Sequence, residues 1–258
     1  MTNTTTMNLG RYKGKIAVVT AAAKGIGRAT ALRLGHEGAY VVALDIDPAV
    51  SQTAKELEQL GVRSESGVID CSNRESVESM FADILKKHGH IDMLANVVGR
   101  TAGDKRSEFY VSEPETWDFV INMSLKSTML CCRQVVPAMR ARKSGRIVNI
   151  SSVAWLAPTP TFGDYAAAKA GVVGFTRVLA IELAPFGVTV NSVSPGPIAT
   201  PATKQHSDEL RKKIIATIPL GGYGKPEDIA AGVAYLGSDD ASFVTGHNLV
   251  ISGGRSVN

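Results

Sequence analysis

Lys15-Ile-Ala-Val-Val-Thr20-Ala-Ala-Ala-Lys-Gly25-Ile-Gly27-Arg-Ala-Thr-Ala-Leu-Arg-Leu-Gly-His-Glu37 is the stretch on which the fold turns. Its first six residues form a short, largely apolar run that reads as a buried strand. A glycine-containing turn follows and opens directly into helical periodicity from Arg28 to Glu37. Strand, glycine turn and helix in that order set backbone N–H groups and a helix N-terminus where a pyrophosphate can sit. The same stretch without a ligand is simply a tight strand-to-helix turn, so the surrounding chain has to decide between the two.

The next strand, Ala39–Asp45, ends in an acid 18 positions beyond Gly27. That is about where a dinucleotide fingerprint places the carboxylate that takes the adenosine ribose hydroxyls. Asp45 would repel a 2′-phosphate, which favours NAD over NADP; Lys24 in the turn is the one residue that pulls the other way. Helix N-capping is the alternative for Asp45, but Asp47-Pro48 already suits that task.

Alternation then continues to the end of the chain. Helical patterns over 51–60, 73–87, 114–140, 164–184, 207–217 and 225–236 intersperse with strands over 62–70, 90–96, 145–152, 188–193 and 248–252. Asn73 and Ser207 read as N-caps. No low-complexity linker interrupts the series. This predicts an α/β fold: a single-domain, Rossmann-like, doubly wound parallel sheet of about seven strands with helices on both faces. Residues 1–13 read as a flexible arm before one domain over 14–258, and 197–217 as a flap over a ligand. Ligands of such sheets lie beyond the strand C-terminal ends. Gly25, Gly27, Asp45, Asp70, Asn96, Ser152 and Pro195-Gly196 all fall there.

Ser151–Lys169 carries the chemistry. Tyr165 and Lys169 are four apart in a helical run and so share a face. A phenol titrates near ~10 in isolation, and a neighbouring cation favours the phenolate. Lowering it to ~7 takes about 4 kcal/mol. Ser152 adds a hydroxyl if the intervening loop folds back.

The remaining composition mostly excludes. Hydrophobic residues make up 44% and charged residues 20%, with a net charge of +4. That charge is too small to suggest nucleic acid. Arg140-Ala-Arg-Lys143 sits at a helix end, where cations suit the dipole. No signal peptide or apolar run of membrane-spanning length is legible, so a cytoplasmic location is expected. Cys71, Cys131 and Cys132 form no framework, and the five histidines show no ligand spacing, so no metal is expected.

The ordered set Thr20…Gly25-Ile-Gly27, Asp45, Asp70, Asn96-Val-Val-Gly99, Asn122, Ser152, Tyr165-xxx-Lys169, Asn191, Pro195-Gly196, Thr200 and Ile251-Ser-Gly-Gly254 resembles the short-chain dehydrogenase/reductase family from Lys15 to Gly254. The resemblance implies Asn122, Ser152, Tyr165 and Lys169 as the catalytic set. Tyr165 exchanges the proton, Ser152 orients the substrate oxygen, and Asn122 holds a relay water. Lys169 lowers the Tyr165 pKa and binds the nicotinamide ribose. The implied NAD contacts are Thr20, Lys24, Gly25, Ile26, Gly27, Asp45, Ile46, Asp70, Cys71, Asn96, Val97, Gly99, Tyr165, Lys169, Pro195, Gly196, Ile198 and Thr200. A homotetramer through the long helices and the C-terminal segment is implied as well.

Two motifs depart from the family pattern. Ala21 stands where the first glycine is usual, and its methyl suits a negative φ. Val97 and Val98 replace smaller residues and make the wall beside the nicotinamide more apolar. Val98, Arg100, Val153, Trp155, Phe162 and Pro197 are the candidate substrate residues, with Trp155 facing the pocket or packing between subunits. Asp104-Lys-Arg106 reads as solvated surface. The expected activity is NAD-dependent interconversion of a secondary alcohol and a ketone on a hydrophobic, cyclic or aromatic substrate. The alternative is a 3-oxoacyl thioester on acyl carrier protein or coenzyme A, or a hydroxyacyl-CoA. A catalytically silent dinucleotide-binding regulator is the remote one.

Overall fold

Val18 and Val19 are adjacent in the chain and face opposite cores. The same alternation runs through β2, where Val41 and Ala43 join one core while Val42 and Leu44 join the other. Successive side chains of a strand point to opposite faces, so an unbroken apolar run is what a sheet covered on both sides requires. The computed structural model describes residues 10–256.

Seven strands form the sheet: β1 (Ile16–Thr20), β2 (Tyr40–Asp45), β3 (Ser64–Val68), β4 (Met93–Asn96), β5 (Gly145–Ile150), β6 (Val188–Pro195) and β7 (Asn248–Ile251). All pairings are parallel, in the order β3-β2-β1-β4-β5-β6-β7. Helices α1 (Gly25–His36), α2 (Val50–Gln59) and α8 (Pro226–Leu236) bury Leu34, Leu57 and Val233 in the first core. Helices α3 (Arg74–His88), α5 (Ser127–Arg142) and α6 (Gly163–Leu183) bury Phe81, Met139 and Leu183 in the second. The strand order reverses between β1 and β4, which opens a crevice at their C-terminal ends.

Local signals act where expected. Asn73 accepts from Ser76 N at 2.9 Å at the start of α3. Ser207 accepts from Leu210 N at 3.3 Å at the start of α7 (Asp208–Ile215) in the flap.

Three expectations change. The single helix over 114–140 is two helices, α4 (Pro114–Ile121) and α5, joined by a π turn at Asn122–Lys126. There Ser127 N–H reaches back five residues to the Asn122 carbonyl, widening the ladder. The arm expected over 1–13 is packed where it is described: Tyr12 is 1% exposed and its hydroxyl donates to Ala234 O at 2.7 Å. Arg11 bonds Glu37 at 2.7 Å and Asp240 at 3.1 Å. The rest of that arm, residues 1–9, lies outside the described residues. Ala21 adopts φ 54° rather than a negative value, because the chain must turn sharply from β1 into the glycine loop.

Candidate active site

Helix α6 brings the Tyr165–Lys169 pair to the end of β5 through two reciprocal bonds. Lys169 Nζ donates to Ile150 O at 2.8 Å, and Ser151 Oγ donates to Lys169 O at 2.7 Å. Ser152 leaves the strand with extended backbone and caps a short 3-10 turn at Val153–Trp155, accepting from Ala154 N at 3.2 Å. Lys169 Nζ lies 5.8 Å from the centroid of the Tyr165 ring. Asn122 sits on the π turn, which packs against α6.

Burial dominates the electrostatics of the pair. Burial pushes Tyr165 up to about 12, with the Ser152 hydroxyl pulling the other way. Burial also pushes Lys169 down to about 7. Lys169 is 1% exposed and its ammonium donates to a neutral carbonyl, so desolvation acts on the ammonium itself. At neutral pH the phenol therefore holds its proton, and Lys169 is the group poised to titrate.

The glycine turn is shaped for an anion. Gly25 adopts φ 57°, no side chain caps the N-terminus of α1, and no acid stands in its first turn. A Cβ on Gly25 would lie 3.4 Å from Thr200 Cγ2, which puts the start of the flap against the turn. Gly27 has a different task, since a Cβ there would lie 2.0 Å from the Ala21 carbonyl oxygen. It lets α1 close on the turn. Asp45 reaches into this loop, its Oδ2 accepting from Ala23 N and its Oδ1 from Asp47 N, both at 2.9 Å. Ile46 beside it is 59% exposed. Lys24 pairs with Asp47 at 3.4 Å. Asp70 holds Ser72 through N–H and hydroxyl donors at 2.9 and 2.7 Å.

Several residues assigned to the dinucleotide by sequence turn their side chains elsewhere. Thr20 accepts from Val97 N at 2.9 Å and is fully buried, tying the ends of β1 and β4 together. Asn96 donates to Asn149 Oδ1 at 2.9 Å and to Cys132 Sγ at 3.2 Å, since a buried amide needs partners. Cys71 packs in the second core beside Cys131. Ile198 packs in the first core, and Ile26 and Val97 lean on it, while Val98 leans on the second. Gly196 allows β6 to exit beside Ser252, whose Cα would be 2.7 Å from an added Cβ; Pro195 is buried just before it.

Among the substrate candidates, Phe162 meets Tyr165 edge-on with 6.3 Å between centroids. Trp155 Nε1 donates to Ser194 Oγ at 3.4 Å, which holds the indole on the end of β6. Val153 is buried, and Pro197 accepts from Gly224 N at 3.0 Å at the flap base. Arg100 is exposed, and Ser124 Oγ grips its backbone on both sides, N at 3.0 Å and O at 3.1 Å. Ser124, Ser151 and Arg106 were not singled out from sequence. Arg106, read as solvated surface, stacks over Phe162 at 4.8 Å. The tandem serines after β5 were the available signal for Ser151; nothing local marks the other two. Among the described residues, no acid, histidine and cysteine cluster suits a metal and no helix is long and apolar enough to cross a membrane.

The arrangement can hold an anionic group at the α1 N-terminus and move a proton at the Tyr165 oxygen. Comparison with known proteins fits this geometry. A family pattern described as Enoyl-(Acyl carrier protein) reductase matches residues 20–256. The (2S)-[(R)-hydroxy(phenyl)methyl]succinyl-CoA dehydrogenase subunit BbsD of Thauera aromatica is 42% identical over 250 residues, 95% of this chain and 98% of its own. The 3-oxoacyl-[acyl-carrier-protein] reductase FabG of Thermotoga maritima is 39% identical over 249 residues, 96% of this chain and 100% of its own. The crystal structure of a 3-oxoacyl-[acyl-carrier protein] reductase with bound NAD from Brucella melitensis superposes with a TM-score of 0.87 at 31% identity, over 95% of this chain and 92% of that one.

Proposed function

The chain belongs to the short-chain dehydrogenase/reductase family, and from that premise we propose that it interconverts a 3-hydroxyacyl thioester and the matching 3-oxoacyl thioester with NAD as hydride carrier. The observation that carries the oxidoreductase chemistry is the Tyr165 phenol one helical turn from a buried Lys169 that is fixed at the end of β5, next to Ser152. The thioester is supported by relatives of near-full coverage whose names specify acyl-carrier-protein and coenzyme A substrates. It takes precedence over the free cyclic or aromatic alcohol expected from sequence, which has no support of that kind.

A nicotinamide dinucleotide fits the residues present. The uncapped α1 N-terminus and Gly25 would hold the pyrophosphate, Asp45 the adenosine ribose, and Thr200 the adjoining end. When bound it supplies the hydride acceptor or donor; the proton is left to the chain. NAD over NADP is supported by Asp45, whose carboxylate would repel a 2′-phosphate, and by Asp47, which pairs with Lys24.

Tyr165 donates its proton to the oxygen of the ketone during reduction, a role its protonated state at neutral pH suits. In oxidation the phenol first gives its own proton to the neutral amine of Lys169, and the phenolate then takes the proton of the alcohol. Ser152 donates to the same oxygen and fixes its position. Lys169, held at the Ile150 carbonyl, accepts or supplies charge as the phenol changes state. Asn122 passes the proton onward through water. A cytoplasmic homotetramer through α4–α5 and α6 is part of the proposal, supported by the exposure of Phe119, Met129, Val178 and Ile181 on those helices.

Steady-state assays test this with 3-hydroxybutyryl-CoA and acetoacetyl-CoA, each with NAD(H) and NADP(H), beside cyclohexanol and 1-phenylethanol. The thioesters with NAD(H) should win, and Tyr165→Phe should cost at least about a hundredfold in kcat. Retained turnover in Tyr165→Phe, or a preference for the free alcohols, overturns the reading.

A further inference from the structure

Arg106 stands ten residues beyond the end of β4, in a segment gripped at Arg100 by Ser124. Its Cζ lies 4.8 Å from the centroid of the Phe162 ring, and its Nε donates to Gly103 O at 2.9 Å. Phe162 in turn meets Tyr165 edge-on, at 6.3 Å and 69°. One aromatic ring therefore separates the guanidinium from the phenol. Among the described residues the partners of Arg106 are that ring and that carbonyl, neither of them an acid. A guanidinium held by a ring face and one bond keeps its terminal N–H groups in a fork that matches a carboxylate, and it loses little freedom on binding one.

We propose that Arg106, seated on Phe162, is a specificity-determining residue that recognises a carboxylate carried by the acyl chain a few bonds from the carbon Tyr165 serves. This rests on the oxidoreductase reading of Tyr165. A thioester brings a second anion, the phosphate of its carrier, but that lies at the far end of the pantetheine arm. A single ring between Arg106 and Tyr165 suits the nearer group.

Two thioesters of equal chain length test the assignment: 3-oxoadipyl-CoA, which ends in a carboxylate, and 3-oxohexanoyl-CoA, which ends in a methyl. The unmutated protein should favour the first by about tenfold or more in kcat/KM, through KM. Arg106→Met should bring the ratio close to one, and Arg106→Lys should keep part of it, because an ammonium retains the charge without the fork. Equal kcat/KM in the unmutated protein, or an equal loss on both substrates in Arg106→Met, overturns the proposal. The pantetheine thioesters of the same acids should give the same ratio; a loss in Arg106→Met that is equal on both coenzyme A thioesters and absent on the pantetheine thioesters assigns Arg106 to the coenzyme A phosphates and overturns the proposal. If no thioester is turned over, the thioester reading falls by itself. 5-Oxohexanoate against its methyl ester then reads Arg106 alone, and absence of preference for the acid overturns it.

Discussion

Lys169 occupies the space that a side chain at Gly99 would need: a Cβ there would lie 2.5 Å from Lys169 Nζ and 3.0 Å from Cε. The glycine three residues beyond β4 thus sets how far the ammonium can extend toward Ile150. In Gly99→Ala the end of a long side chain yields rather than the backbone. The melting temperature should move by only a few degrees, while kcat falls on the order of tenfold to a hundredfold because Lys169 is displaced. Unchanged kcat would mean that the position of Lys169 does not matter to the reaction.

The depressed pKa of Lys169 has a stability consequence. It lies at about 7 in the folded chain, against an ordinary ~10.4 when unfolded. Between those values the unfolded chain binds the extra proton, so this residue makes stability rise with pH across that window. Below pH ~7 the folded state carries the full cost of burying the ammonium. Lys169→Met should therefore abolish turnover yet stabilise the protein at pH 6.5, by up to about 4 kcal/mol. The gain should shrink toward pH 10. Denaturant titrations at both pH values check this, and an equal gain at each would rule out the buried charge as its source.

Ala21 at φ 54° is strained and Gly27 beside it is tightly confined. Ala21→Gly should add about 1 kcal/mol of stability, a rise of roughly 2–4 °C in melting temperature, and leave dinucleotide binding intact or tighter. Gly27→Ala should do the opposite and severely. Its methyl meets a backbone carbonyl that cannot swing aside. Calorimetry on both variants measures the contrast. Loss of NAD binding in Ala21→Gly would show that the turn is not the phosphate site.

Asp45 is both a brace of the glycine loop and the proposed discriminator between cofactors. In Asp45→Asn one oxygen still accepts a backbone bond, but the charge is gone. The ratio of kcat/KM for NAD to that for NADP should fall by about tenfold or more. A ratio that does not change removes Asp45 from cofactor selection.

How much of the site was legible follows from how local each signal is. Asn73 and Ser207 cap the helices they precede, because a cap bonds an N–H two or three residues on. Tyr165 and Lys169 share a helix face by spacing alone. Asn96, Thr20 and Cys71 also lie at strand ends, but position does not say which way a side chain turns. Asn96 finds its partners on β5 and α5, elements far away in sequence. The same holds for Tyr12, whose anchor is a carbonyl on α8.

By itself, the sequence determined the doubly wound sheet and the glycine turn, and it put Tyr165 and Lys169 on one helix face. Each of these is written in periodicity, turn chemistry or short-range spacing. Only the tertiary structure decided how deeply that pair is buried, because burial is a property of what surrounds a group rather than of its neighbours in the chain. It alone seated Arg106 on Phe162 beside Tyr165, since that stack joins segments whose approach depends on the packing of the whole fold.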